Sequence, residues 1–311
     1  MPLAHTVSTT PIALLLSPLS ADRPSAPLPL MTRSHPPTQG RITMIGNFKG
    51  GSGKTTNAVN LACMLAHGVA GLPPQRVLFI DLEPLQTASR WLGATAPSFE
   101  RSSAVLFESV PKNGDVPVHV QRLKASIQRA ENEPLDVVPA HETGLEVADS
   151  TRNRDFDFKN NLALLIDGYD HVLIDLPASR QGRLTRSALV ASDGVLIPVQ
   201  PGGNTIESTM PFLQLVEEIR RGANPALHVD GVVISTAGSR GDIDAQIASD
   251  ALASSLPYPV YGSRIRTLKA IMRANTFRVS VLQMGDREAI GDYTALAQEW
   301  LGHVRHNAEA E

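Results

Sequence analysis

Residues 49–56 read Lys-Gly-Gly-Ser-Gly-Lys-Thr-Thr, a set of types and spacings suited to one chemistry, the capture of phosphate. Glycines let the backbone wrap closely around an anion and aim its N–H groups at the oxygens, while a helix opening behind the loop adds positive potential. Gly50, Gly51, Ser52 and Gly53 would form that cradle, closed by Thr56. Lys54 is placed to neutralise β/γ-phosphate charge, and the Thr55 hydroxyl to ligate Mg²⁺. A plain G-x-x-x-x-G-K-T loop would have glycine six residues before Lys54, where this chain has Phe48, followed by Lys49. Two acidic stretches could complete the site. Arg76–Ser89 (RVLFIDLEPLQTAS) is an apolar run ending in Asp81 and Glu83, alternate strand positions that face the same way. Tyr169–Pro177 (YDHVLIDLP) delivers Asp175 from a second such run, an arrangement that holds Mg²⁺, usually through water.

These groups need a scaffold that gathers strand ends. Short β-branched runs occur at Arg41–Gly46, Arg76–Ile80, Leu135–Pro139, His171–Ile174, Gly194–Val199 and Gly231–Ser235. Between them, Thr55–His67 and Thr209–Arg221 carry apolar residues at three- and four-residue spacing, as amphipathic helices do. Strands apolar on both faces and separated by helices describe a parallel sheet covered on both sides. The expectation is one doubly wound α/β domain over residues 41–311, with helices and loops of segment 94–134 inserted between strands. Residues 1–40 hold eight of the 23 prolines and one acid, Asp22, without a sustained period, and read as a disordered leader. Within it Pro11–Ala21 (PIALLLSPLSA) is apolar, but no Lys or Arg precedes it, which argues against an export signal. Met31 is a second candidate start.

Composition narrows the function classes. Lys and Arg total 28 against 31 Asp and Glu, a net charge of −3, so the chain is not polybasic overall, although a local basic face is compatible with that balance. The one cysteine, Cys63, cannot make a disulfide framework, a Cys-ligated zinc site or a thiolate-held iron–sulfur cluster within one chain. No apolar run reaches the roughly 20 residues that span a bilayer.

The form K-G-G-x-G-K-T-T at Lys49–Thr56 resembles the deviant Walker A loop of the ParA/MinD superfamily of ATPases, and the resemblance extends over most of residues 41–285. It implies ATP and Mg²⁺ as cofactors and slow intrinsic hydrolysis. It further implies that Lys49 reaches across a nucleotide-sandwich homodimer to the partner's phosphates. The catalytic set it implies is Lys49, Lys54, Asp81 and Glu83, with Glu83 orienting the attacking water. Thr55, Asp81 and Asp175 would hold the Mg²⁺ shell. The chain departs from the family's D-x-D-P-Q in having Glu83 for Asp and Leu85 for Gln, and it ends an adenine-side strand with Ser235-Thr236 rather than Asn-Arg.

Partner choice divides this superfamily. The C-terminus, DYTALAQEWLGHVRHNAEAE, ends in acids and has a short apolar face, so membrane recruitment is not expected; Leu296, Trp300 and Leu301 should dock onto the domain. Segment 251–285 contains no Asp or Glu but carries Arg264, Arg266, Lys269, Arg273 and Arg278, read as five unpaired cations on one face. By resemblance to ParA/Soj-type partition ATPases, these would bind DNA non-specifically in the ATP dimer. Arg180, Arg183 and Arg186 are candidates for a dimer or partner surface. The resemblance thus implies a cytoplasmic, nucleoid-associated ATPase for plasmid partition, chromosome segregation or cargo positioning, stimulated by a ParB-like adaptor. A MinD-like membrane-associated ATPase, a nucleotide-switch accessory protein of a surface or polysaccharide machinery, and a small-molecule kinase remain open alternatives at this point.

Overall fold

The computed structural model describes residues 40–309 apart from 69–70, 112–114, 152–153, 178–181, 203, 236–237 and 239–242. The leader, Arg180 and Thr236 therefore lie outside the described residues. Eight strands form one sheet among the described residues: β1 (Arg41–Ile45), β2 (Val77–Asp81), β3 (Gln128–Arg129), β4 (Asp136–Val138), β5 (His171–Asp175), β6 (Gly194–Val199), β7 (His228–Ser235) and β8 (Val260–Ile265). Their order is β3-β4-β2-β5-β1-β6-β7-β8, and every pairing is parallel except β3 with β4. The helices are α1 (Lys54–His67), α2 (Thr87–Trp91), α3 (Val116–Ala125), α4 (Glu142–Ser150), α5 (Asp155–Ala163), α6 (Arg183–Ala191), α7 (Thr205–Arg221), α8 (Ile243–Ser255), α9 (Lys269–Phe277), α10 (Val281–Met284) and α11 (Arg287–Glu309). This is the doubly wound, mainly parallel arrangement expected from the alternating runs.

The two cores follow from strand periodicity. Val172 and Ile174 of β5 pack on one face with Val195, Ile197 and Ile234, whereas Leu173 points to the other with Phe79, Leu196 and Val233. A helix layer covers each face, so the central strands are apolar throughout. Cys63 is fully buried in the second core. Two strands were not evident from sequence. β3 is only two residues long, and β8 buries only Tyr261 and Ile265 fully, so neither produces a continuous apolar run. Asp193 accepts the Ile42 N–H at 2.8 Å and so fixes the start of β1.

α11 docks as predicted, with Leu296 and Trp300 fully buried and Leu301 nearly so. The Trp300 indole donates to Asp230 Oδ2 at 3.1 Å, and Arg41 Nη2 donates to the same carboxylate at 2.6 Å. The His171 ring lies 5.2 Å from Trp300, and burial pushes its imidazole down to about 4. An unfolded histidine titrates near 6.5. Below that pH the unfolded chain therefore binds a proton that the folded chain refuses, and stability falls as pH drops until about 4. We predict that His171→Phe removes about 3 kcal/mol of stability loss between pH 6.5 and 4, measured as the difference between the urea-unfolding curves of wild type and variant.

Candidate nucleotide site

The loop after β1 is shaped by a few obligatory contacts. Gly51 and Gly53 adopt φ of +73° and +89°, conformations that favour glycine. A side chain at Gly53 would also stand 3.3 Å from Ser235 and Asn57, so both torsion and space restrict this position. Asn47, almost wholly buried, donates to the Pro198 carbonyl at 3.0 Å and accepts the Lys49 N–H at 3.2 Å, tying the loop to the end of β6. Gln200 Nε2 donates to the Gly51 carbonyl at 2.6 Å from the same side. Lys54, the first residue of α1, folds its ammonium back onto the Lys49 carbonyl at 3.1 Å. Thr56 is held by Asn60, which donates to its carbonyl at 2.8 Å, and by Asn275, which donates to its hydroxyl at 3.3 Å. These amide side chains were not singled out from sequence. The usable clue was an Asn or Gln beside a strand end next to a glycine loop, because buried backbone groups there need partners.

The acids converge from neighbouring strands. Asp81 and Asp175 end β2 and β5 in register, and Ile45 of β1 is in register with Asp175 on its other side. Both carboxylates are fully buried. Burial pushes the Asp175 carboxyl well above the usual range, and Asp81 adds to this, while the Thr55 hydroxyl and the Lys54 ammonium oppose it. Burial also depresses Lys54, with Asp175 and Glu83 pulling it back up, so the lysine and the acids form one electrostatic group. Asp81 is likewise pushed up by burial, to about 6. Their surroundings differ. Asp81 accepts the Glu83 N–H at 2.9 Å, the Ser89 N–H at 2.8 Å and the Ser89 hydroxyl at 2.6 Å, so it works on its own backbone. Neither Asp175 oxygen, nor the buried Ser52 hydroxyl, has a well-formed partner among the described residues. Glu83 is half-buried, accepts the Leu85 N–H at 3.4 Å, and borders a cleft of about 500 Å³ with Leu85, Leu145, Glu146 and Leu184. An excess of buried negative charge beside an open hydroxyl and a cation suits a magnesium–phosphate pair, so these residues fit the cofactors expected from the loop.

Comparison with known proteins agrees with this geometry. The profile of a family described as an AAA domain matches residues 40–229. The chain is 32% identical to the chromosome partitioning protein ParA of Myxococcus xanthus over 216 residues, 68% of this chain and 71% of that one. It is 35% identical to the chromosome-partitioning ATPase Soj of Thermus thermophilus over 268 residues, 85% of this chain and 97% of that one. The chain belongs to the ParA/Soj branch of the ParA/MinD superfamily of P-loop ATPases. The fold is shared with a Cyanothece McdA variant solved with ATP, at a TM-score of 0.71 and 20% identity, covering 85% of this chain and 97% of that one.

Its relatives make the protein a ParA-type ATPase, and other structures of this fold hold an ATP analogue or ADP with magnesium. The signature lysine, Lys49, is half-buried, and its ammonium makes no ion pair among the described residues. The cationic segment of this ATPase differs from the sequence expectation. Arg264 pairs with Asp250 at 3.1 Å and bonds Gln246, and Arg266 pairs with Asp292 at 2.8 Å and Glu288 at 3.3 Å. The neutralising acids come from α8 and α11, outside the acid-free stretch, which is why the count of five unpaired cations fails. Lys269, Arg273 and Arg278 are exposed and unpaired among the described residues. Arg183 donates to the Ala148, Phe107 and Arg154 carbonyls, and Arg186 pairs with Asp155 and Glu218. Replacing Asn47 by Ala should cost about 2 kcal/mol, because the Pro198 carbonyl and Lys49 N–H lose their partner. It should also weaken binding of a fluorescent ATP analogue, with thermal unfolding and titration as the measurements.

Proposed function

We propose that ATP and Mg²⁺ close two copies of this chain face to face, and that the closed dimer binds DNA without sequence preference until hydrolysis releases it. The observation that carries this reading is Lys49. Its backbone N–H is held by Asn47 and its carbonyl by Lys54, while its ammonium has no partner among the described residues. Two apposed triphosphates concentrate negative charge, and an extra cation per site favours the closed form. Thr55 and Asp175 would hold the magnesium, which supplies charge neutralisation at the transferred phosphate. Lys54 would contact the β/γ-phosphates, and Glu83 would orient the attacking water. Backbone dipoles and one metal leave transition-state charge incompletely neutralised, so turnover is slow until an adaptor, ParB-like in type, contributes a cation; such residues in trans are worth about 10³–10⁵ in rate.

DNA is favoured over a membrane as the second surface because α11 has its apolar side, including Trp300 and Leu301, buried against the domain. On α9, Lys269 and Arg273 stand four residues apart on an exposed face, and Arg278 follows directly. Arg278 sits at φ +56°, a left-handed position where glycine is the relaxed choice.

Lys49→Ala should retain ATP binding by titration yet weaken ATP-dependent dimerisation by about 100-fold in gel filtration or sedimentation. A variant that still dimerises removes the cross-site role. Arg278→Gly should raise the thermal midpoint by relieving the backbone, while lowering the affinity of the ATP form for duplex DNA. The slope of log affinity against log salt should then fall by about two for a dimer. Unchanged affinity and slope would remove Arg278 from the DNA surface.

A further inference from the structure

We propose that Ser89 is a positioning residue for ATP hydrolysis, forming with Asp81 a buried clamp that fixes the backbone of Glu83. The inference rests on the reading of Glu83 as the group that orients the attacking water. Ser89 lies in α2, eight residues beyond Asp81, and is almost fully buried. Its hydroxyl oxygen accepts the Ala140 N–H at 2.9 Å. With that lone pair occupied by a backbone donor, the single hydroxyl proton is directed to Asp81 Oδ2, 2.6 Å away. The Ser89 N–H reaches the same oxygen at 2.8 Å, and the other carboxylate oxygen takes the Glu83 N–H at 2.9 Å. The carboxylate thus joins the end of β2 to the start of α2, and the Ser89 hydroxyl bound to it extends the link to the segment after β4. Ser103 adds a further bond to the Asp81 carbonyl at 2.6 Å.

The turn enclosed by this clamp is strained. Gln86 has φ +58°, left-handed for a residue with a side chain, and its N–H closes on the Glu83 carbonyl at 2.8 Å. Such a conformation persists where its surroundings over-determine it, and the bonds at Asp81 and Ser89 hold both ends. The phosphate cradle is anchored independently, through Asn47 and Gln200 on the β6 side. Loosening the clamp should therefore displace Glu83 without disturbing nucleotide capture, and a displacement of about 1 Å at a reacting group can cost about 100-fold in rate.

The test is single-turnover and steady-state hydrolysis by the purified full chain, beside ATP-analogue affinity and the Mg²⁺ concentration for half-maximal rate. Ser89→Ala should lower kcat by about 10- to 100-fold while nucleotide affinity, KM and the Mg²⁺ midpoint stay within about twofold. Ser89→Thr, which keeps the hydroxyl, should return kcat to within about threefold of wild type. The double variant Ser89→Ala with Asp81→Asn should be no slower than Asp81→Asn alone, because both remove one clamp. This cycle decides the matter even if Thr is too large for the site. Wild-type turnover in Ser89→Ala, a loss confined to KM or Mg²⁺ affinity, or additive losses in the double variant would overturn the proposal. Glu83→Gln separates the two readings. Undiminished hydrolysis in Glu83→Gln discards the role of Glu83 itself, whereas a dead Glu83→Gln with a normal Ser89→Ala discards only the clamp.

Discussion

Asp81 and Asp175 lie side by side on neighbouring strands, both fully buried, with the Lys54 ammonium as the cation that answers them. Two carboxylates withdrawn from water in this way resist simultaneous ionisation unless positive charge is brought to them. The fold tolerates the arrangement because it separates the two acids chemically. Asp81 is satisfied by three donors from its own chain, while among the described residues Asp175 is answered only by the neighbouring Thr55 hydroxyl and Lys54 ammonium. One acid therefore acts on the protein, and the other is the one that the proposed magnesium would answer.

The parallel sheet is what makes this gathering possible. β2, β5 and β1 are adjacent although far apart in sequence, and their C-terminal ends deliver Asp81, Asp175 and the glycine loop to one edge. The loop is then fixed by amides from the next part of the sheet: Asn47 to the end of β6, and Gln200 back to Gly51. Behind it α1 is braced by the C-terminal elements. Tyr293 donates to Asn57, the Val281 N–H reaches Asn60, and Asn275 reaches the Thr56 hydroxyl. The phosphate loop is thus in direct hydrogen-bond contact with the block that carries Lys269, Arg273 and Arg278.

Much of this was legible in the residues. Runs such as GVLIPV and HVLID could be read as buried parallel strands because the sheet is covered on both faces, which leaves no polar alternation to confuse the pattern. The short edges escaped for the opposite reason: β3 has two residues, and β8 interrupts its apolar positions with Gly262, Ser263 and Arg264. Within the site, Lys49, Lys54, Thr55, Asp81, Glu83 and Asp175 could be named because each is a short-range feature, a charged or hydroxyl group at a fixed offset from a strand end or a glycine loop. Asn47, Gln200, Ser89 and Asn275 could not, since the bonds that give them meaning span from 51 to 219 residues and depend on which elements fold together.

The charges show the same division. Sequence alone determined that residues 251–285 carry cations without acids, because composition is a local property. Only the tertiary structure decided that Arg264 and Arg266 are neutralised, by Asp250, Glu288 and Asp292 on helices flanking that stretch. The chain order likewise settled that a phosphate loop opens the first helix and that acids end two strands. Folding decided that one of those acids is consumed by backbone and hydroxyl donors, while the other faces the Thr55 hydroxyl and the Lys54 ammonium. Hydrogen-bond saturation depends on neighbours in space, and spacing along the chain does not encode it.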